Sequence, residues 1–184
     1  IDLSNLPTNA TSTSWTGGTF QGNTINFNTA HNIFIDENGI GYLVGANYGV
    51  GGAIMIDIAA NPTNPPIVGI YNTRYIHDCF VRDDIMWSAE INNGIFSVVD
   101  VSDKANPVVL ATQSTPNNFT HNCWPSDDDN YLFTTDEVGG APVGAYDVSD
   151  LSDIVKVDEY RSNPGSGVIP HNTFYHNGFL VTSY

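Results

Sequence analysis

With 184 residues, 41% of them hydrophobic and 11% aromatic, the chain has the content of a folded globular unit and not of an unstructured polymer. Five Lys and Arg against twenty Asp and Glu leave a formal net charge of −15, which repels phosphate backbones and anionic headgroups and excludes nucleic acid as a natural partner. No apolar run approaches the ~20 residues that cross a bilayer, so a direct membrane span is not expected, and no basic segment leading into an apolar one opens the sequence.

Two markers recur in a fixed order. One is an aspartate inside an apolar run: Ile1-Asp2-Leu3-Ser4, Ile56-Asp57-Ile58-Ala59, Val99-Asp100-Val101-Ser102 and Tyr146-Asp147-Val148-Ser149. The other is His followed by Asn or Asp, with an aromatic two residues further: His31-Asn32 with Phe34, His77-Asp78 with Phe80, His121-Asn122 with Trp124, and His171-Asn172 with Phe174. The histidines stand 46, 44 and 50 residues apart, a period that belongs to repeat architectures.

Taken in order, residues 1–30 read as the end of one repeat and its connection. Residues 31–75 form a repeat with a turn at Asp36-Glu37-Asn38-Gly39 and a last strand after residues 61–66. Residues 76–119 give the clearest pattern, with strands predicted at 77–81, 85–90, 95–101 and 107–112. Turn chemistry separates them at Arg82-Asp83-Asp84, Asn92-Asn93-Gly94 and 102–106. Residues 120–169 follow the same plan with a turn at 126–130, and residues 170–184 supply the first two strands of another copy.

Four short strands per period, without any sustained 3.6-residue periodicity, predict an all-β protein with very little helix. A four-stranded antiparallel sheet cannot bury both faces by itself, so the sheets stack as blades of a β-propeller. Three full blades plus parts of two make an incomplete ring, and both ends fall inside apolar strand patterns. The chain therefore reads as a partial propeller whose remaining blades come from further sequence or from another chain.

In a propeller the innermost strand of each blade lines the channel, which places His31, His77, His121 and His171 near one rim. Converging neutral imidazoles suit a transition metal such as Cu, Fe or Zn. Ten residues before each repeat aspartate stand Asn47, Glu90 and Glu137, placed to orient the remote ring nitrogens from behind. The competing reading makes the histidines framework, each tied to an acidic or hydroxyl group of its own blade. Asp2, Asp57, Asp100 and Asp147 close a strand before a Ser- or Asn-rich turn and are read as structural acceptors of backbone N–H groups.

Cys79 and Cys123 each lie two residues after a repeat histidine, so strand alternation sends them the same way as the imidazoles. A disulfide, a thiolate pair and two inert buried thiols all remain open. His176 is expected in a turn, exposed. The acidic turns Asp83-Asp84 and Asp127-Asp128-Asp129 lack the spacing of a calcium loop and read as solvated. Asn9-Ala10-Thr11 and Asn118-Phe119-Thr120 fit the glycosylation sequon. Gly49-Val50-Gly51-Gly52 reads as a hairpin turn, and no nucleophile elbow supports hydrolase chemistry.

The stretch Val98-Val99-Asp100-Val101-Ser102-Asp103, closed by Asn106-Pro107, resembles the LVIVD repeat. The series of histidine segments, with Asp136-Glu137 beside the third, resembles the choice-of-anchor B family of secreted propeller proteins. That resemblance implies export, display at the cell surface through an anchor lying elsewhere, and a larger ring of about seven blades. It implies no particular reaction. Two functions follow as expectations: a cell-surface binding or adhesion module that recognises a protein, glycan or cation, and a metal-dependent, possibly redox, propeller enzyme built on the four histidines.

Overall fold

The computed structural model describes Thr8 and residues 12–184; Asp2 and the sequon at 9–11 lie outside the described residues. Among the described residues there are sixteen strands and no helix. Three antiparallel four-stranded sheets follow one another in simple up-and-down order. The first is β3 (Asn32–Ile35), β4 (Ile40–Val44), β5 (Ala53–Asp57) and β6 (Ile67–Tyr71). The second is β7 (Asp78–Arg82), β8 (Ile85–Glu90), β9 (Ile95–Asp100) and β10 (Val108–Ser114), and the third is β11 (Thr120–Pro125), β12 (Tyr131–Asp136), β13 (Val143–Asp147) and β14 (Val155–Tyr160). A hairpin flanks them on each side: β1 (Gly17–Phe20) with β2 (Asn23–Asn26), and β15 (Thr173–His176) with β16 (Phe179–Thr182).

Turn chemistry sets the hairpins. Asp83 and Asp84 both adopt positive φ, 50° and 60°, which gives a two-residue turn whose twist matches the strands it joins. Asn177 and Gly178 repeat it at 48° and 81°, leaving His176 as the last residue of β15, paired with Phe179, and not in the turn. The outermost strand of every sheet carries an extra residue against its neighbour, at Val68, Leu110 and Val157. Such bulges increase the local twist that stacked blades require.

The repeat aspartates end the third strand of each sheet. Asp57 accepts from the Ala60 N–H at 2.8 Å, Asp100 from Ser102 at 2.8 Å, and Asp147 from Ser149 N–H and hydroxyl at 3.0 and 2.6 Å. The Ser102 and Ser149 bonds hold the Asp100 and Asp147 carboxyls below their ordinary range. The Asp100 and Asp147 bonds are Asx turns, the Asp57 bond reaches one residue further, and all three start the crossing to the outer strand.

Apolar cores lie between successive sheets. Tyr42, Val44 and Met55 of the first sheet meet Cys79, Val81, Met86 and Val99 of the second. The opposite face of the second, with Phe80, Trp87, Phe96 and Val98, meets Cys123, Leu132 and Tyr146 of the third. Phe96 and Tyr146 pack edge to face at 5.1 Å, and burying side chains of this size contributes about 2–3 kcal/mol each. The β1–β2 hairpin covers the free face of the first sheet through Ile25, Phe27, Trp15 and Phe20. At the other end, a cleft of about 440 Å³ opens between the third sheet and β15–β16, lined by Phe133, Val143, Tyr160, Leu180 and Tyr184.

Candidate metal centre

Each repeat histidine sits where the chain enters the first strand of a sheet. The His31, His77 and His171 N–H groups donate to the carbonyls of Val44, Ala89 and Ser183 at 2.9, 2.8 and 2.9 Å, which fixes the three at equivalent positions. His121 differs, because β11 bulges there: Thr120 pairs with Asp136 and Asn122 with Thr135, leaving His121 as the extra residue. The four rings form one arc, with centroids 3.8, 4.4 and 4.1 Å apart from His31 to His77, His121 and His171.

Burial differs along the arc. His121 is 4% exposed and His77 8%, while His31 and His171 are open to solvent. Burial, reinforced by the neighbouring His31, lowers the pKa of His77; burial with His77 and His171 on either side lowers that of His121 to about 4. Both are neutral at physiological pH, the state in which imidazole binds metals.

Glu137 is the acidic group at this arc. Its Oε2 stands 3.7 Å from His121 Nε2 and its Oε1 3.8 Å from His171 Nε2, beyond hydrogen-bonding distance in both cases. One donor atom each from His77, His121 and Glu137 lie within 4.8 Å of one another. Nδ1 of His121 is buried without a hydrogen-bond partner, and His77 Nδ1 faces only the His121 carbonyl at 3.3 Å. Two imidazoles and a carboxylate are an appropriate donor set for Zn²⁺, Cu²⁺ or Fe²⁺; the His121 nitrogen nearest the carboxylate is Nε2, while the ring also lies against the His171 backbone, which partly offsets the lowering of its pKa.

Two residues expected behind the imidazoles are elsewhere. Asn47 Oδ1 accepts the backbone N–H groups of Asn28 and Thr29 at 2.8 and 3.1 Å, pinning the loop that leads into His31. Glu90 is fully buried in its own polar cluster, accepting from Ser97 at 2.7 Å, Ser88 at 3.3 Å and Tyr71 at 3.5 Å, with Arg74 Nη1 at 3.4 Å from Oε2. Burial outweighs these partners and raises its pKa. The physical reason is loop length. Strand pairing matches Ile40, Ile85 and Tyr131 to the repeat aspartates, so the structurally equivalent strand ends are Gly45, Glu90 and Asp136. The intervening loops, residues 45–52, 91–94 and 137–142, differ in length, and counting back ten residues from the aspartate lands in different places. Glu137 is equivalent to Ala46 and Ile91, both buried and apolar, and approaches the imidazoles directly instead of from behind.

The cysteines also part from the histidines. Cys79 and Cys123 are free, buried thiols in separate inter-sheet cores, and burial holds both well above the ordinary thiol range. Alternation does not carry across from the histidines, since His77 precedes its strand and His121 occupies a bulge.

Sequence reasoning left the other two residues of the marker without a role. Asp78 is buried and accepts from Asn32 Nδ2 at 2.8 Å and Asn122 Nδ2 at 2.9 Å, while Asn122 Oδ1 accepts the Thr173 N–H at 3.0 Å. These bonds form a belt across four successive inner strands, next in sequence to the histidines. Two residues further along each strand, Phe34, Phe80, Trp124 and Phe174 pack ring against ring, with centroids 4.6–5.1 Å apart between successive strands. Phe34 and Trp124, two sheets apart, still meet at 6.3 Å, so aromatic side chains crowd the space between these inner strands. The recurrence of all three positions was the available signal.

No family model matches the chain, and no curated protein does. Solved structures do. A crystal structure from Bacteroides fragilis NCTC 9343, provisionally named a 6-phosphogluconolactonase, superposes with a TM-score of 0.61 at 16% identity, covering 91% of this chain and 50% of that one. The fold is β-propeller-like. The chain spans about half the length of this relative in structure, and at such identity the likeness concerns architecture alone.

Proposed function

We propose that this chain is part of a β-propeller that binds a transition-metal ion at one mouth of its channel through His77, His121 and Glu137, with His31 and His171 flanking the site. The observation that carries the reading is His121: a buried, neutral imidazole whose Nε2 stands 3.7 Å from the Glu137 carboxylate, with the rings of His77 and His171 on either side. The framework alternative asks each histidine to be tied to an acid or hydroxyl of its own blade. The contacts of His77, His121 and His171 run instead from blade to blade, and the His121–Glu137 approach within the third blade is too long for a hydrogen bond.

A Cu, Fe or Zn ion held by His77, His121 and Glu137 would supply Lewis acidity toward an outside donor there. His77 and His121 present lone pairs without first losing a proton, Glu137 offsets the charge, and the surrounding acidity of the chain attracts cations. The function that follows is metal-assisted binding of a protein or glycan partner. Placement at the cell surface rests on the resemblance of the LVIVD-like repeats to the choice-of-anchor B family. The apolar cleft between the third sheet and β15–β16 has the place and lining that outer strands of that last blade would cover.

Metal analysis of the natively purified protein tests the reading. Near-stoichiometric Cu, Fe or Zn that disappears in His77→Ala and His121→Ala variants supports it. A folded protein free of metal, which also fails to take up Zn²⁺ or Cu²⁺ on titration, overturns it and leaves the histidines as framework.

A further inference from the structure

We propose that Asp78, at the centre of the belt Asn32–Asp78–Asn122–Thr173, is a positioning residue that holds three successive inner strands at the spacing the metal site needs. The inference rests on the metal reading above.

The belt has a directed chemistry. Asp78 accepts on both oxygens, from Asn32 Nδ2 and its neighbour Cys79 N–H on Oδ1 and from Asn122 Nδ2 on Oδ2, bonds that favour the ionised carboxylate against the burial that raises its pKa. The Thr173 N–H, a donor only, takes the Asn122 oxygen and so turns the Asn122 amide nitrogen toward Asp78. Asp78, Asn122 and Thr173 are buried, so the Asp78–Asn122 and Asn122–Thr173 bonds are shielded from water and costly to leave unmade. Each belt residue directly follows a site histidine or, for Thr173, lies two residues past His171. A change in belt spacing is thus transmitted to His77 and His121 through a single peptide unit.

The polarity supplies its own control. In Asp78→Asn, one amide hydrogen set faces another and a cross-strand bond is lost. In Asn122→Asp, two carboxylates face each other. In the double variant, the amide at position 78 donates to the carboxylate at position 122, which still accepts from Thr173, while the position-78 oxygen still accepts from Asn32 and Cys79. The belt is whole again with its direction reversed.

The experiment measures Zn²⁺ affinity of the metal-free chain by competition titration, together with the imidazole ¹⁵N shifts of His77 and His121 without metal. Each single variant is expected to bind Zn²⁺ at least tenfold more weakly and to move both shifts, and the double variant to return within threefold of wild type with its shifts restored. Asn122→Asp separates position from charge: a purely electrostatic role of the carboxylate tightens Zn²⁺ binding there, whereas a broken belt weakens it. Where a buried single change prevents folding, Asn32→Ala at the exposed end of the belt gives the same comparison with a smaller loss of about threefold. Single variants that bind Zn²⁺ like wild type with unmoved shifts, while melting lower, overturn the proposal and reduce the belt to a fold-stabilising feature. If wild type itself takes no Zn²⁺ the metal reading falls, and the imidazole shifts alone decide whether the belt positions the histidines.

Discussion

The imidazole of His77 packs against that of His121 with centroids 4.4 Å apart, although His77 directly precedes its strand and His121 is the extra residue of a bulge. The bulge removes His121 from the alternation of β11 and lets it join its neighbours on the arc while Cys123 stays in the core.

Glu137→Gln isolates the carboxylate. Glu137 is about one-third exposed and forms no hydrogen bond to the imidazoles, so stability should change by less than about 0.5 kcal/mol. Zn²⁺ affinity should fall at least tenfold, read by competition with a chromophoric chelator. Unchanged affinity removes Glu137 from the site.

Glu90→Gln tests the pH dependence of the second sheet. Burial raises the folded-state pKa of Glu90, so its contribution is complete below the unfolded value of 4.5 and is lost as pH rises through the folded value. The urea midpoint of Glu90→Gln relative to wild type should therefore move in favour of the variant from pH 4.5 towards pH 7.5. A difference that stays constant with pH counts against the buried-carboxyl account.

Cys79 and Cys123 should resist thiol reagents in the native state and both react in urea, because burial disfavours the reactive thiolate. Labelling followed by mass measurement checks this. Rapid native labelling of either thiol contradicts the packing described between the sheets.

Gly69→Ala probes the contact between the outer edge of the first sheet and the loop of the second. A Cβ at Gly69 would collide with the Lys104 carbonyl, a backbone atom that cannot rotate away. A loss of about 1–3 kcal/mol is expected in thermal or urea unfolding, with Zn²⁺ binding per folded molecule unchanged.

The four strands and the turns of one blade were readable from residues 77–112 alone, because alternation and turn chemistry are local. The recurrence of His, Asn or Asp, and an aromatic was readable from comparing the copies at 31, 77, 121 and 171. The placement of Asn47, Glu90 and Glu137 was not, since it depends on loops of unequal length whose residues carry no periodic signal. The cysteines were misdirected for a related reason: alternation holds only inside a regular strand, and neither His77 nor His121 is in one.

By itself the sequence determined an all-β repeat protein of high negative charge, with one imidazole per repeat at the head of each inner strand, because period-2 burial and two-residue turns are written in neighbouring residues. Only the tertiary structure decided that Glu137, not Glu90 or Asn47, meets those imidazoles, and that Asp78 links three strands beside them. Those relationships join residues 16 to 60 positions apart, and their distances are set by how the sheets stack and by a single bulge at His121.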